Sequence, residues 1–242
     1  MVWMPQRKAT RRGTFAAALA ALSVIALPLS AGEPRLVRVP RSMLCVTEGA
    51  IEDLPSQRLS VDMPKMRAYV NRITTQTIEA NFTYAGPTST ESALGSGALR
   101  RQFGVKLRAQ DPCNLVYAMW RIEPQSQLVV SVKSNPGQHT SAECGNRGYR
   151  NIKPQRSSPV PRLGPGDTHT LRAEMNAASL RVFVDSSLAW EGSLGAGVLN
   201  FSGPVGIRSD NVRLRIQLEV GQPAGAHPDY VVACKSGPSE SE

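Results

Sequence analysis

Hydrophobic and polar residues alternate with a period of two over much of the chain. Leu171, Ala173 and Met175 alternate with Arg172 and Glu174, and Leu180, Val182 and Val184 with Arg181 and Phe183. Further on, Val212, Leu214, Ile216, Leu218 and Val220 alternate with Arg213, Arg215, Gln217 and Glu219. This period means antiparallel strands with one buried face. The breaks fall at Asn176-Ala177-Ala178-Ser179, Asp185-Ser186-Ser187 and Gly203-Pro204, residue types that turns select. The run from His169 to Val220 is therefore a meander of strands, and it sets an all-β fold class.

Upstream, Thr77 to Tyr84 reads as a strand with Ile78, Ala80, Phe82 and Tyr84 on one face, and Phe103 to Ala109 as another with Val105 and Leu107 inward. Then comes a hairpin. With Glu123 paired to Gln127 around Pro124-Gln125-Ser126, Ile122 faces Leu128, Trp120 faces Val130 and Ala118 faces Val132. That register collects every strong hydrophobe but Met119 and Val129 on one side, and a one-residue slip would undo it. Met43 to Val46 reads as a short strand, and Leu54 to Tyr69, interrupted by Pro55 and Pro64, as loop with a short strand. Asn135 to Gly166 is long, polar and rich in Pro and Gly, with Arg147, Tyr149, Arg150, Lys153 and Arg156 making it basic. A loop of that length in a compact domain is functional or disordered. No helix and no internal repeat is read, and strand spacing points to a two-sheet sandwich.

The N-terminus changes the reading of charge. Arg7, Lys8, Arg11 and Arg12 precede an apolar run from Phe15 to Leu29, and Leu29-Ser30-Ala31 offers a small residue for cleavage. This is the layout of a secretory signal peptide over residues 1 to 31. The run is shorter than the roughly 20 residues of a spanning helix, so no transmembrane anchor is expected. Arg11-Arg12 with Phe15 leaves a twin-arginine route open beside the general one. Removing residues 1 to 31 takes away four basic residues and no acidic one, lowering the net charge from +9 to +5. A mildly basic remainder fits anionic glycans, cell envelope or lipid headgroups rather than nucleic acid.

All four cysteines lie after the signal, and an even count in an exported protein implies two disulfides. Of three pairings, topology favours Cys45 with Cys234, near the two ends of the domain, and Cys113 with Cys144, across a hairpin and its return. Without a C-x-x-C pair, and with His139, His169 and His227 scattered, a metal site from these residues is not expected. The expected organisation is signal peptide 1–31, one domain 32–235 and a disordered tail 236–242, in a bacterial, periplasmic or extracellular setting.

Five segments carry a resemblance: Gly104 to Arg108, Asn114 to Tyr117, His169 to Glu174, Leu180 to Asp185, and Gly203-Pro204-Val205-Gly206-Ile207-Arg208-Ser209-Asp210-Asn211. Over about Thr77 to Val220 the chain resembles the concanavalin A-like lectin/glucanase jelly rolls, in particular their laminin-G-like and 3-keto-disaccharide hydrolase types. The resemblance implies a jelly-roll β-sandwich and says little of function, because function lives in sites grafted on folds.

The glucanases of that superfamily project a carboxylate pair from one strand through E-x-D-x-x-E, and retaining hydrolysis needs two carboxylates about 5 Å apart. Here Glu174 stands alone on its strand and Asp185 and Asp210 sit at turns, so no catalytic residues are assigned. Binding has more to work with. Outward strand positions carry Lys106, Arg108, Tyr117, Arg121, Lys133, Arg172, Arg181, Arg213 and Arg215; on a concave sheet they would set basic donors around an aromatic, and otherwise they form a solvated charged face. Trp190 is a stacking platform or a core residue. Arg208, Asp210 and Asn211 are ligand or calcium contacts at a rim, or a turn held by Asp and Asn side chains. The expected ligand set is Arg108, Tyr117, Arg121, Lys133, Tyr149, Trp190, Arg208 and Asp210. The expected role is noncatalytic binding of a carbohydrate or anionic envelope polymer. The alternatives are a sugar-cleaving enzyme and a structural or protein-interaction domain.

Overall fold

A computed structural model describes residues 1–4, 35–71, 73, 75–222 and 234. The expected signal peptide beyond Met4 and the tail after Gln222, apart from Cys234, lie outside the described residues. The chain divides after Glu33, and the fold is that of the unit Pro34–Glu242.

Among the described residues the strands are β1 (Leu36–Arg38), β2 (Leu44–Glu48), β3 (Glu52–Leu54), β4 (Arg58–Val70), β5 (Thr77–Pro87), β6 (Arg101–Asp111), β7 (Asn114–Glu123), β8 (Gln127–Lys133), β9 (Tyr149–Asn151), β10 (Arg156–Ser157), β11 (Thr168–Asn176), β12 (Ser179–Val184), β13 (Ser187–Ser193) and β14 (Gly206–Gly221). One helical turn, α1 (Ser141–Cys144), interrupts the long polar segment. The two expected sheets are one hydrogen-bonded fabric in the order β10-β13-β12-β11-β5-β14-β6-β7-β8-β9, with β4 on the other side of β14.

The fabric becomes two layers because β14 changes neighbours partway along. Gly206 to Asp210 pair with β6, whereas Val212 to Val220 pair with β5. The fork is at Asn211, which adopts a left-handed φ of 55°, a conformation Asn tolerates better than most residues. Its amide holds the β5–β6 connection: Oδ1 accepts from Ser92 N at 2.8 Å, and Nδ2 donates to the carbonyls of Ser92 and Arg100, both at 2.9 Å. Asn211→Ala removes all three bonds and strains the backbone, so a loss of about 2 to 3 kcal/mol is expected in urea unfolding. Asn211→Gly relieves the strain and should cost less.

The branches close face to face over a core that the period-two pattern supplies. Phe82 of β5 meets Phe103 of β6 at 4.8 Å between centroids and Trp120 of β7 at 5.7 Å, and Trp120 meets His169 of β11 at 5.4 Å. Phe82, Phe103 and Trp120 are fully buried, each contributing on the order of 2 to 3 kcal/mol of burial.

Two local expectations are corrected. The segment expected as loop around Pro55 and Pro64 is mostly the 13-residue strand β4. Pro64 is tolerated because it lies between Lys65 and Met63, which pair with Asp210 and Val212. It therefore falls opposite the break at Asn211, where its missing N–H costs least. In the hairpin, Trp120 pairs with Leu128, Ala118 with Val130 and Val116 with Val132, a shift of two from the expected register. The faces are unchanged because the period is two. The longer turn leaves Glu123 paired to Arg101 of β6, whose guanidinium binds its carboxylate, and lets Trp120 Nε1 donate to Ser126 Oγ at 3.2 Å.

Both expected disulfides are present. Cys45–Cys234 has Cα atoms 5.3 Å apart, and Cys113–Cys144 5.8 Å.

Candidate binding groove

The face of β6, β7, β8 and the first half of β14 that points away from the core is built in cross-strand rows. Gly206, Lys106, Tyr117, Ser131 and Asn151 form one; Arg67, Arg208, Gly104, Met119 and Val129 the next; Asp210, Gln102, Arg121 and Gln127 the third. Rows two residues apart share a face. They floor a groove of about 260 Å³, walled by Leu94, Ser96 and Arg100 from the β5–β6 connection and by Asn146, Tyr149 and Asn151.

Asp210 anchors one side. It is fully buried, and both its oxygens are engaged: Arg67 Nη2 donates to Oδ1 at 2.7 Å, while Gln102 Nε2 and Arg208 Nε donate to Oδ2 at 2.6 and 3.0 Å. Burial alone would raise its pKa, but the Arg208 and Arg67 charges and the Gln102 hydrogen bond outweigh it and hold the carboxyl well below its ordinary value of 3.8. Arg67, 1% exposed, is further fixed by donating to the carbonyls of Ser209 at 2.8 Å and Met66 at 3.0 Å, with Glu48 3.8 Å away.

The other side is aromatic and cationic. Tyr117 and Tyr149 stack, 6.0 Å apart and inclined by 25°. Arg208 lies over Tyr117 at 5.1 Å, and Lys133 over Tyr149 at 5.0 Å, so two cations bracket a ring pair. Lys133 is buried and donates to the Gly145 carbonyl at 2.7 Å, tying β8 to the residue after α1. Gly104 leaves room for this packing: a Cβ there would stand 2.3 Å from the Ala118 carbonyl oxygen and 2.7 Å from Met119 Sδ.

Of the residues singled out in the sequence, Tyr117, Arg121, Lys133, Tyr149, Arg208 and Asp210 are brought together. Two are not. Arg108, at a positive φ of 46° where the β6–β7 ladder is irregular, turns to the Phe201 carbonyl at 3.0 Å. Trp190, on β13 in the other branch, is 2% exposed and packs in the core. The outward positions are also not simply wet, since Lys106, Tyr117 and Lys133 are all buried. Asp210 and Asn211 are committed to the arginines and to the β5–β6 connection, which leaves the expected calcium contact without a free carboxylate. Among the described residues no group of three or more His, Cys, Asp or Glu side chains converges.

Sequence reading missed Arg67, Arg100, Gln102, Met119, Ser131 and Asn151. The alternation that turns Tyr117 outward carries Met119 and Arg121 with it, and Ser131 follows from Lys133 in the same way. Arg67 had no such signal, because its strand was read as loop.

No protein-family profile matches the chain, and no curated protein matches it. Among solved structures, the carbohydrate-binding module CBM66 from Bacillus subtilis superposes with a TM-score of 0.50 at 12% identity, over 72% of this chain and 92% of that one. The chain has the jelly-roll β-sandwich fold of that module. LamAcat from Zobellia galactanivorans (TM-score 0.41, 11% identity, 70% of this chain and 79% of that one) and a tetrameric galectin from the ball sponge Cinachyrella (0.36, 15%, 68% and 92%) superpose less well. In this jelly roll the groove lining contains no Asp or Glu.

Proposed function

We propose that the groove binds a carbohydrate, or an anionic polymer of the cell envelope, without cleaving it, and that the protein works outside the cytoplasm. The observation that carries this is the make-up of the lining: an aromatic pair beside Arg, Gln, Asn and Ser donors, with its nearest carboxylate, Asp210, buried and neutralised by two arginines. Sugars are recognised by such combinations of ring faces and convergent hydrogen-bonding groups. Glycoside hydrolysis needs one carboxyl to protonate the leaving group and a second as base or nucleophile, and the groove lining supplies neither. Two disulfides suit an oxidising compartment, periplasmic or extracellular.

The test is a glycan array and polysaccharide pull-down with the oxidised protein. Tyr149→Ala removes half of the ring pair from a short strand at the layer's edge and is expected to weaken retention about tenfold, leaving the unfolding midpoint nearly unchanged. If the wild-type protein retains no glycan, the reading fails, and a protein partner for the segment from Gly145 to Arg156 becomes the one to seek.

A further inference from the structure

Arg121 stands where two hollows meet. With Val129 and Asn151 it lines both the groove and a second hollow of about 580 Å³. That second hollow is lined by Gln127 to Val130 of β8, by Lys153 and Pro154, and by Ser157 and Ser158 together with Ala189 and Trp190 of β13, the strand they pair with. Arg121 differs from the ion-paired arginines of this face. Arg67 and Arg208 are neutralised by Asp210, and Arg101 by Glu91 and Glu123. Among the described residues Arg121 has no acidic partner, and its Nε is buried without a hydrogen bond. A buried guanidinium donor without an acceptor is costly. Burial, and then the like charge of Arg100, lower its pKa; the opposite charge of an anion seated there would offset both.

We propose that the ligand is a linear acidic glycan, that one of its carboxylate or sulfate groups sits on Arg121 with Arg100 beside it, and that the chain continues across Val129 and Asn151 into the second hollow. This rests on the carbohydrate reading of the groove and adds to it an acidic substituent, its position and a path. The groove alone is smaller than the roughly 300 to 1,000 Å³ of sites that enclose a whole small ligand, so it suits one part of a longer chain. The second hollow offers hydroxyls at Ser157 and Ser158, a cation at Lys153 and partly exposed apolar surface at Leu128 and Val160, the mixture a following sugar unit would need.

The experiment is calorimetric titration of the oxidised protein with oligogalacturonides from disaccharide to octasaccharide, their carboxyl-reduced neutral counterparts, and sulfated dextran oligosaccharides of matching length. The acidic series is expected to bind more tightly as it lengthens and then reach a plateau, with the neutral series at least about tenfold weaker. A preference between the uronate and sulfate series identifies which anion Arg121 receives. R121Q should bring the acidic series close to the neutral one without lowering the unfolding midpoint, and K153E should weaken only oligomers long enough to pass Arg121. Equal affinity for acidic and neutral oligomers would overturn the anion seat while leaving carbohydrate binding intact. A disaccharide binding as tightly as the octasaccharide would overturn the path into the second hollow. If no oligomer in any series binds and the glycan array is also blank, the carbohydrate reading itself has failed.

Discussion

Asp210→Ala is expected to lower the unfolding free energy by about 3 to 5 kcal/mol, because in a buried site it removes the carboxylate that Arg208 and Arg67 share and leaves Arg67 the more distant Glu48, 3.8 Å away. Each of the two arginines is at most 4% exposed, so water cannot replace the carboxylate. The pH dependence follows from the same contacts. Asp210 has a folded-state pKa depressed below its ordinary value of 3.8. Its contribution is therefore fully present above that unfolded-state value and is lost progressively as the pH falls from there toward the depressed one. Urea unfolding of wild-type protein and D210N between about pH 4 and pH 2 separates this carboxyl from all others. The wild type should lose stability more steeply than D210N over that window, and parallel curves would mean that Asp210 is not held ionised by the arginines.

Removing the Cys113–Cys144 disulfide is expected to have the next largest effect, and to reach binding as well as stability. The bridge spans 31 residues of sequence; by loop entropy its loss from C113S/C144S costs roughly 3 to 4 kcal/mol. Cys144 ends α1, where Thr140 and Glu143 cap the turn reciprocally, and the next residue, Gly145, receives Lys133. Asn146, Tyr149 and Asn151 follow directly and make up one wall of the groove. Freed of its tether, that wall must be ordered at the ligand's expense. Glycan affinity is expected to fall severalfold in the double variant even at temperatures where far-UV circular dichroism shows it folded. Unchanged affinity with reduced stability would show that the wall is held by the β8–β9 ladder and Lys133 alone.

How much of this was legible in the sequence depended on whether a residue's role is written in its neighbours. The faces of β7 and β8 were, since alternation alone places Trp120 inward and Tyr117 outward. Their register was not. It is decided by the attraction of Glu123 to Arg101 and by the Trp120–Ser126 hydrogen bond, one of them to a different strand. The jelly-roll class and the cysteine pairing could be read because they follow from strand succession and from the position of each cysteine relative to it. The groove could be read only in part. Lys106 and Lys133 in a sequence look like solvated charge, and nothing local shows that Gly145 and Tyr149 will cover Lys133. Arg67 was hidden altogether, because a proline in mid-strand is ordinarily a sign of loop. Here the sheet forks opposite Pro64, and the fork depends on a residue nearly 150 positions away in the chain.

The position of β14 also governs when this protein can fold. It is the last strand among the described residues, yet it pairs with β1, β4, β5 and β6. A chain emerging from its N-terminus therefore presents β4, β5 and β6 with open edges until residues 206 to 221 arrive, and neither branch of the sheet can be joined to the other before then. Such non-local pairing is slow to form and leaves unpaired edges prone to aggregation in the interval. For a protein exported as an extended chain, one of the two routes its N-terminus leaves open, that delay is useful: the seam that locks the fold comes through after every strand it joins.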